Sequence, residues 1–243
     1  IFLKRMTQTL NNTGKQIRFQ FLSVLSHELK APLNAIEGYL RMIKEKQFGN
    51  NVDAYEEMLD RSMERIKGMR QLILDLLDLT KIETGKPTQK LEKVNIRKIV
   101  QMAVDTIRPY AIQKDVDIYI NSHEAFEMRA DPGEIEIIMN NLISNAVKYN
   151  KTGGRVDVFI EKKGIELKIT VSDTGIGLKN EDTEKIFDDF VRIKSNKTRE
   201  VTGSGLGLSI VKKIVDMYHG SIEVQSEPDH GASFLIPLME PED

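Results

Sequence analysis

Ser26-His27-Glu28-Leu29-Lys30-Ala31-Pro32-Leu33 lies inside a run whose small or apolar positions, Phe19, Leu22, Ser26, Leu29, Leu33, Ile36, Leu40 and Ile43, follow one another at alternating steps of three and four. That spacing is a heptad seam and predicts a long amphipathic helix. His27 falls one residue off the seam, where a side chain flanks a helix–helix contact and stays open to solvent and to a visiting partner. Pro32 has no N–H for the carbonyl of Glu28, and its ring crowds that carbonyl, so the helix should bend or loosen one turn beyond the histidine. Taken alone, the stretch reads better as an exposed helical histidine beside a tolerated proline than as a functional site. The rest of the chain decides between the two.

Working outward, Gln47-Phe48-Gly49-Asn50-Asn51 is rich in turn formers and should end the first helix. A second helix follows, with Tyr55, Leu59, Ser62, Ile66, Met69, Ile73, Leu76 and Thr80 again at steps of four and three. Gly85 and Pro87 are its stop signal. Two such helices make an antiparallel hairpin with too little area to bury both seams, and a dimeric four-helix bundle is the natural solution. Upstream, Leu3, Met6, Leu10, Thr13 and Ile17 form a seam out of phase with the first. The frames meet near Asn11-Asn12-Thr13-Gly14, either as a junction that receives a rotation or bend from an upstream input or as a frayed end.

A chain of 243 residues suggests one or two domains with a real core. Its net charge is −2 and no basic block stands out, which argues against nucleic acid as the principal partner. The absence of cysteine excludes disulfides and thiolate metal sites. No apolar run approaches the roughly 20 residues of a bilayer span. The chain opens on Ile1 rather than Met, so we expect a fragment, with room upstream for a membrane segment or sensor domain.

Beyond Thr84-Gly85-Lys86-Pro87-Thr88 the periodicity changes, which places a domain boundary there. We expect a helix over Ile96 to Ala111 and a strand over Val116 to Ile120. Asp131-Pro132-Gly133-Glu134 reads as a helix start with Asp as N-cap, Pro first and Glu closing a capping box. Strands are expected over Arg155 to Glu161, Ile165 to Val171, Ser221 to Gln225 and Ala232 to Ile236, with a helix from about Leu206 to Tyr218 stopped by Gly220. Helices and strands mixed in this way predict an α+β sandwich, a sheet with helices on one face.

Asp173-Thr174-Gly175-Ile176-Gly177-Leu178 follows a strand, and a carboxylate there can accept from an amino group such as that of adenine. Alone, this Gly-x-Gly is also an ordinary turn. Gly203-Ser204-Gly205-Leu206-Gly207-Leu208 opens a helix, whose free N–H groups suit phosphate, although it lacks the ending of a Walker loop. Asn141, Asn145, Lys148 and Tyr149 share one helical face. Interior Asn is mildly unfavourable in a helix. The amide oxygen of Asn145 would suit Mg²⁺ bound otherwise by phosphate and water, and Lys148 would neutralise phosphate.

Together these residues resemble the transmitter core of a sensor histidine kinase of two-component systems. Ser26 to Leu33 matches the H-box, Asn141 to Tyr149 the N-box, Asp173 to Gly177 the first glycine box, Phe187-Asp188-Asp189-Phe190 the F-box and Gly203 to Gly207 the second glycine box. The motifs stand in the family's order over essentially residues 15 to 240. The resemblance implies an upstream signalling helix or linker over 1–14, a dimerisation and histidine phosphotransfer domain over 15–85, a linker over 86–91, and a catalytic ATP-binding domain of the Bergerat type, shared with gyrase and Hsp90, over 92–240. It implies His27 as phosphoacceptor, Glu28 as its acid/base helper, Asn145 as Mg²⁺ ligand and Asp173 as adenine contact. Asn141, Lys148, Tyr149, Gly175, Gly177, Gly203, Gly205, Leu206 and Gly207 then belong to the ATP site. Residues 179 to 202 become a lid, in which Arg192, Lys194, Lys197 and Arg199 are either phosphate contacts or solvated surface charge, and Phe187 and Phe190 anchor the lid.

The cofactors implied are ATP and Mg²⁺. The partners implied are a second copy of the chain, through the hairpin, and the receiver domain of a response regulator; nucleic acid is not among them, and a membrane enters only through an upstream segment. The expected location is cytoplasmic. A nucleotide-gated clamp without self-phosphorylation is the rival class, and the histidine-bearing hairpin discriminates against it. His123, His219 and His230 read as structural or incidental. One position departs from the family: relatives often carry Thr or Asn four residues after the histidine, to orient water for dephosphorylating the regulator, whereas this chain has Ala31. Its methyl cannot hydrogen bond, which calls the phosphatase reaction into question and leaves the kinase reaction untouched. Replacing Ala31→Thr should raise dephosphorylation of the response regulator; an unchanged rate in a phosphoregulator decay assay would refute this account.

Overall fold

The computed structural model describes residues 25–83, 89–122, 126–193, 195, 198 and 203–241. The upstream seam from Leu3 to Ile17, with Phe19, Leu22, Gly85, Pro87, His123, Lys194, Lys197 and Arg199, lies outside the described residues. The chain divides into two compact units, Ile1–Leu74 and Asp75–Asp243.

The first unit contains helix α1, residues 25–44, and most of helix α2, Val52–Glu83. α1 runs through Pro32 without interruption. In the turn between the helices, Tyr55 donates its hydroxyl hydrogen to Gly49 O and accepts from Phe48 N, both at 3.1 Å, while its ring meets Phe48 edge-on at 6.0 Å. Asn51 Oδ1 accepts from Ala54 N at 3.2 Å, a side-chain cap on the first turn of α2. Within this unit Ile36, Ser62 and Leu72 are buried, whereas Leu33, Leu40, Leu59, Ile66 and Ile73 are exposed. The expected seam of α2 is therefore split: Ser62 turns inward, and Leu59, Ile66 and Ile73 at seven-residue spacing stay in solvent as one apolar line. That is the surplus apolar surface the hairpin was expected to leave for a second copy.

The second unit is built on a five-stranded sheet in the order β2-β4-β5-β7-β6, comprising β2 Val116–Asn121, β4 Gly154–Lys163, β5 Glu166–Asp173, β6 Glu223–Glu227 and β7 Gly231–Met239. β2 and β4 are parallel and the other pairs antiparallel. One face is apolar at every second residue, with Val156, Val158 and Ile160 on β4, Leu167, Ile169 and Val171 on β5, and Phe234, Ile236 and Leu238 on β7 all buried. Helices α3 Ile96–Gln113, α4 Pro132–Lys148 and α5 Gly207–Met217 close that face with Val100, Val104, Ile135, Ile138, Leu142, Ile210 and Ile214. This is the expected α+β sandwich. Among the described residues no helix is long and apolar enough to cross a membrane.

Two strands escape sequence reading. β1 Glu92–Asn95 and β3 Glu127–Ala130 form a separate antiparallel ribbon pairing Glu92 with Ala130 and Asn95 with Glu127. Each is four residues long with little alternation to mark it. β6 begins two residues later than expected, because Gly220 N still closes α5 onto Val215 O and Ser221 N bonds Pro237 O before the ladder with β7 starts.

The start of α4 also departs from expectation. Asp131 does cap, accepting from Gly133 N at 2.9 Å. Glu134 does not close a capping box: its carboxylate accepts from the Tyr218 hydroxyl at 2.6 Å and from Gln89 Nε2 at 3.0 Å. Burial raises the Glu134 pKa above its ordinary value, against the pull of the Tyr218 and Gln89 hydrogen bonds. The same hydroxyl accepts from Asp131 N at 2.9 Å, so the fully buried Tyr218 ties the end of α5 to the start of α4. Tyr218→Phe leaves the Asp131 N–H and the Glu134 carboxylate each short of a partner and should destabilise the unit by about 1–3 kcal/mol, read as a lowered urea midpoint with unchanged slope.

Candidate functional site

α4 buries Ile135, Ile138, Met139, Leu142, Ile143, Ala146 and Val147 and turns Asn141, Asn145 and Lys148 to its other side, where all three are half-buried. The second glycine stretch lies directly on that polar face. Asn141 donates through Nδ2 to Ile137 O at 2.9 Å, and its Oδ1 would stand 2.2 Å from a Cβ at position 207. Only Gly207 lets the start of α5 approach the asparagine so closely. A Cβ on Gly203 would stand 2.5 Å from Lys148 Nζ. Between them Leu206 N donates to Ser204 Oγ at 3.1 Å, while Gly205 rests on the backbone of Phe190. No side chain caps α5, so its first N–H groups are available to an acceptor from outside the helix. The side chain of Leu206 is fully buried, which leaves its backbone as the part that faces the site.

The first glycine stretch is held against the end of α4. Asp173 is the last residue of β5, and its Oδ1 accepts from Gly175 N at 2.8 Å. Ile176 N donates to Tyr149 O at 3.0 Å, with Tyr149 the C-cap of α4. Gly177 has φ +62, and a Cβ there would fall 2.0 Å from Glu227 O, so this turn is closed to any other residue. Asp173 and the asparagine face therefore flank one stretch of backbone, residues 147–150.

The electrostatics follow from burial. Lys148 is pushed down to about 8, first by burial, then by the nearby Arg192 guanidinium, with Asp75 opposing and Lys114 adding a smaller push. Burial raises Tyr149, which Arg192 partly offsets. Arg192 is thus in electrostatic range of both residues, the one lid cation among the described residues that is placed at the site. Asp173 is raised to about 6 by burial, against the pull of the Gly175 and Ala232 backbone N–H groups. In the lid, Phe187 lies 5.8 Å below Lys212 Nζ, and Ile186 beside it is buried. Phe187 and Phe190 are both half-buried, and the backbone of Phe190 lies against Gly205.

Three residues missed in the sequence belong to this region. Asn150, buried, accepts from the Thr174 hydroxyl at 3.2 Å and donates to Arg155 O at 3.0 Å. Asp75, also buried and within the second unit, accepts from Ser204 Oγ; a lone acid among Ile73, Leu74, Leu76 and Leu77 was its signal. Lys114 donates to the carbonyls of Val147 and Lys148. Nothing local in the sequence marks Lys114.

In the first unit His27 is the exposed helical side chain expected, with 84% of its side chain accessible. Glu28 Oε1 lies 3.8 Å from His27 Nδ1, within ion-pair reach but longer than a hydrogen bond. Ala31 is exposed. His219 and His230 are exposed as well, His219 at positive φ just after α5.

For a metal, Asn145 is the group that fits. Its amide is half-buried and has no hydrogen-bond partner among the described residues. No cluster of three or more His, Cys, Asp or Glu occurs among them, so an ion here would draw its other ligands from phosphate and water.

A two-helix unit with an exposed histidine, joined to a sandwich whose polar helix face meets an uncapped helix start, defines a phospho-acceptor domain coupled to an ATPase-type domain. Family models agree: residues 17–85 match the His Kinase A (phospho-acceptor) domain and residues 130–242 the histidine kinase-, DNA gyrase B-, and HSP90-like ATPase. The chain is 31% identical to the non-motile and phage-resistance protein of Caulobacter vibrioides over 93% of its own length and 28% of that protein. It is 30% identical to the sensor histidine kinase GacS of Pseudomonas protegens over 94% of its length and 25% of GacS. It spans about a quarter of the length of these curated relatives. In fold it is similar to the Acinetobacter baumannii histidine kinase AdeS, with a TM-score of 0.70 over 89% of this chain and 98% of that one at 20% identity. It is also similar to the histidine kinase ThkA in complex with response regulator protein TrrA, with a TM-score of 0.67 over 91% of this chain and 61% of that one at 19% identity. The chain belongs to the sensor histidine kinases of two-component systems.

The raised pKa of Asp173 has a measurable consequence. Its carboxyl keeps its proton in the folded state up to about 6, whereas the ordinary value is 3.8, so its contribution to stability is greatest below pH 4 and is lost as pH rises through 6. Asp173→Asn should therefore be more stable than wild type at pH 7 by on the order of 2 kcal/mol, with the gap closing toward pH 4 in denaturation curves.

Proposed function

We propose that the chain phosphorylates His27 with the γ-phosphoryl group of ATP and passes that group to an aspartate of a response regulator receiver domain. The observation that carries this reading is His27 standing free on α1 with the Glu28 carboxylate 3.8 Å from Nδ1. With Nδ1 turned toward Glu28, Nε2 is the nitrogen left to attack. The new N–P bond forms as the bond from γ-phosphorus to the ADP oxygen breaks, and the Nδ1 proton moves toward the carboxylate of Glu28. Phosphoryl transfer asks mainly for positioning and charge neutralisation.

In the second unit, Asp173 accepts from the adenine amino group, and the glycine-supported turns of Gly175 and Gly177 admit the base. Lys148, Arg192 and the first N–H groups of α5, from Gly203 through Gly205 and Leu206 to Gly207, take the phosphates. Asn141 supports that edge, and Tyr149 lines it. A magnesium ion held by Asn145 would neutralise phosphate charge and align the γ-phosphoryl group. The hairpin works as a homodimer through the apolar line of Leu59, Ile66 and Ile73, with the phosphotransfer domain over 15–85, a linker over 86–91 and the catalytic domain over 92–240, downstream of a signalling helix or linker over 1–14. The chain acts on the cytoplasmic side, forward as a kinase, with Ala31 weakening the reverse reaction.

Incubation with γ-labelled ATP and Mg²⁺ should give an acid-labile, base-stable label that disappears in His27→Ala. Label persisting in that variant would overturn the assignment.

A further inference from the structure

Lys114 is the C-cap of α3, yet its side chain crosses to the far end of α4, where Nζ donates to Val147 O at 3.1 Å and to Lys148 O. These are the last carbonyls of the helix, two of the four without a partner inside α4; Val147 O also accepts from Asn150 N at 3.2 Å just past the helix end. A cation is favoured there by the negative end of the helix dipole. Burial lowers the Lys114 pKa, so the ammonium is held at the carbonyls against a desolvation penalty rather than left to water.

The backbone so held is where the site's motifs meet. Tyr149, next in the chain, donates its N–H to Asn145 O at 2.9 Å and accepts from Ile176 N at 3.0 Å, so the first glycine stretch hangs from it. Gly175 is seated against the same Tyr149 carbonyl and against Asn150. Lys148 lies within the held turn, and its side chain reaches Gly203 of the second glycine stretch. The base of Lys114 is itself fixed, because Asp115 O accepts from Gly153 N at 2.8 Å, joining the loop after α3 to the loop before β4.

We infer that Lys114 is a positioning residue of the nucleotide site: by clamping the carbonyls of Val147 and Lys148 it sets the turn from which both glycine stretches take their places relative to Asn145 and Lys148. It touches no substrate and acts through residues 147–149. The inference rests on the ATP-dependent reading of the same site. Because the clamp shapes the bound ground state and the transition state alike, its loss should appear in nucleotide affinity and KM rather than in kcat.

The test uses the whole chain with Mg²⁺–ADP binding by calorimetry and His27 labelling at varied ATP. K114M keeps the aliphatic stem and removes the donors. Loss of two charge-assisted hydrogen bonds should weaken ADP binding and raise KM for ATP about tenfold or more, with kcat within about twofold. K114Q, too short to hold both carbonyls, should show the same loss. K114R, which retains charge and donors, should restore affinity to within about threefold of wild type. K114M or K114Q binding ADP as wild type does, or a folded K114R as impaired as they are, overturns the inference and leaves the kinase reading standing. A wild-type chain that binds no nucleotide overturns both.

Discussion

α4 can face two ways at once, and the second unit depends on that. Its apolar side, from Ile135 to Val147, is driven onto the sheet by burial, which fixes the helix's rotation to within the width of a side chain. Once that side is buried, Asn141, Asn145 and Lys148 have no choice of direction. The site is therefore a by-product of core packing in the best sense: the hydrophobic face chooses where the polar face points, and the glycine stretches then close on it. Gly207 against Asn141 and Ile176 against Tyr149 show how near the closure comes.

The charges at the site are arranged in opposition. A buried carboxyl at Asp173, raised to about 6, opens the glycine stretch that hangs from Tyr149, and an ammonium at Lys148, lowered to about 8, belongs to the residue just before Tyr149. Each departs from its ordinary value for the same reason, burial without a full counter-charge. Such groups gain most when a ligand supplies what burial removed: a hydrogen-bond donor for the acid, an anion for the amine. An adenine nucleotide carries both, at opposite ends of one molecule.

Much of this was legible in the residues. The two hairpin helices, the exposed off-seam His27, the alternating strands of β4, β5 and β7 and the Asp131 cap are local patterns, and each appears within a few residues of where the spacing placed it. The unread parts share a cause. β1 and β3 are short and gain their strand character only by pairing with each other across an intervening helix and strand of chain, Asn95 with Glu127 at one end and Glu92 with Ala130 at the other. Glu134 was read as closing a capping box, a local pattern, and was taken instead by Tyr218, 84 positions away. Asp75 and Lys114 lie in α2 and at the end of α3, and their partners are 129 and 33 residues distant.

By itself the sequence determined the two-part plan, the sandwich and the family, because periodicity, capping and glycine motifs are encoded within a few turns or strands of chain. Only the tertiary structure decided what holds those residues in place: Tyr218 beneath the start of α4, Asn150 behind Thr174, Lys114 at the end of α4. Hydrogen bonds between groups far apart in the chain leave no mark in local spacing, since any of many lysines or tyrosines could make them until the core packs and brings one particular pair within reach.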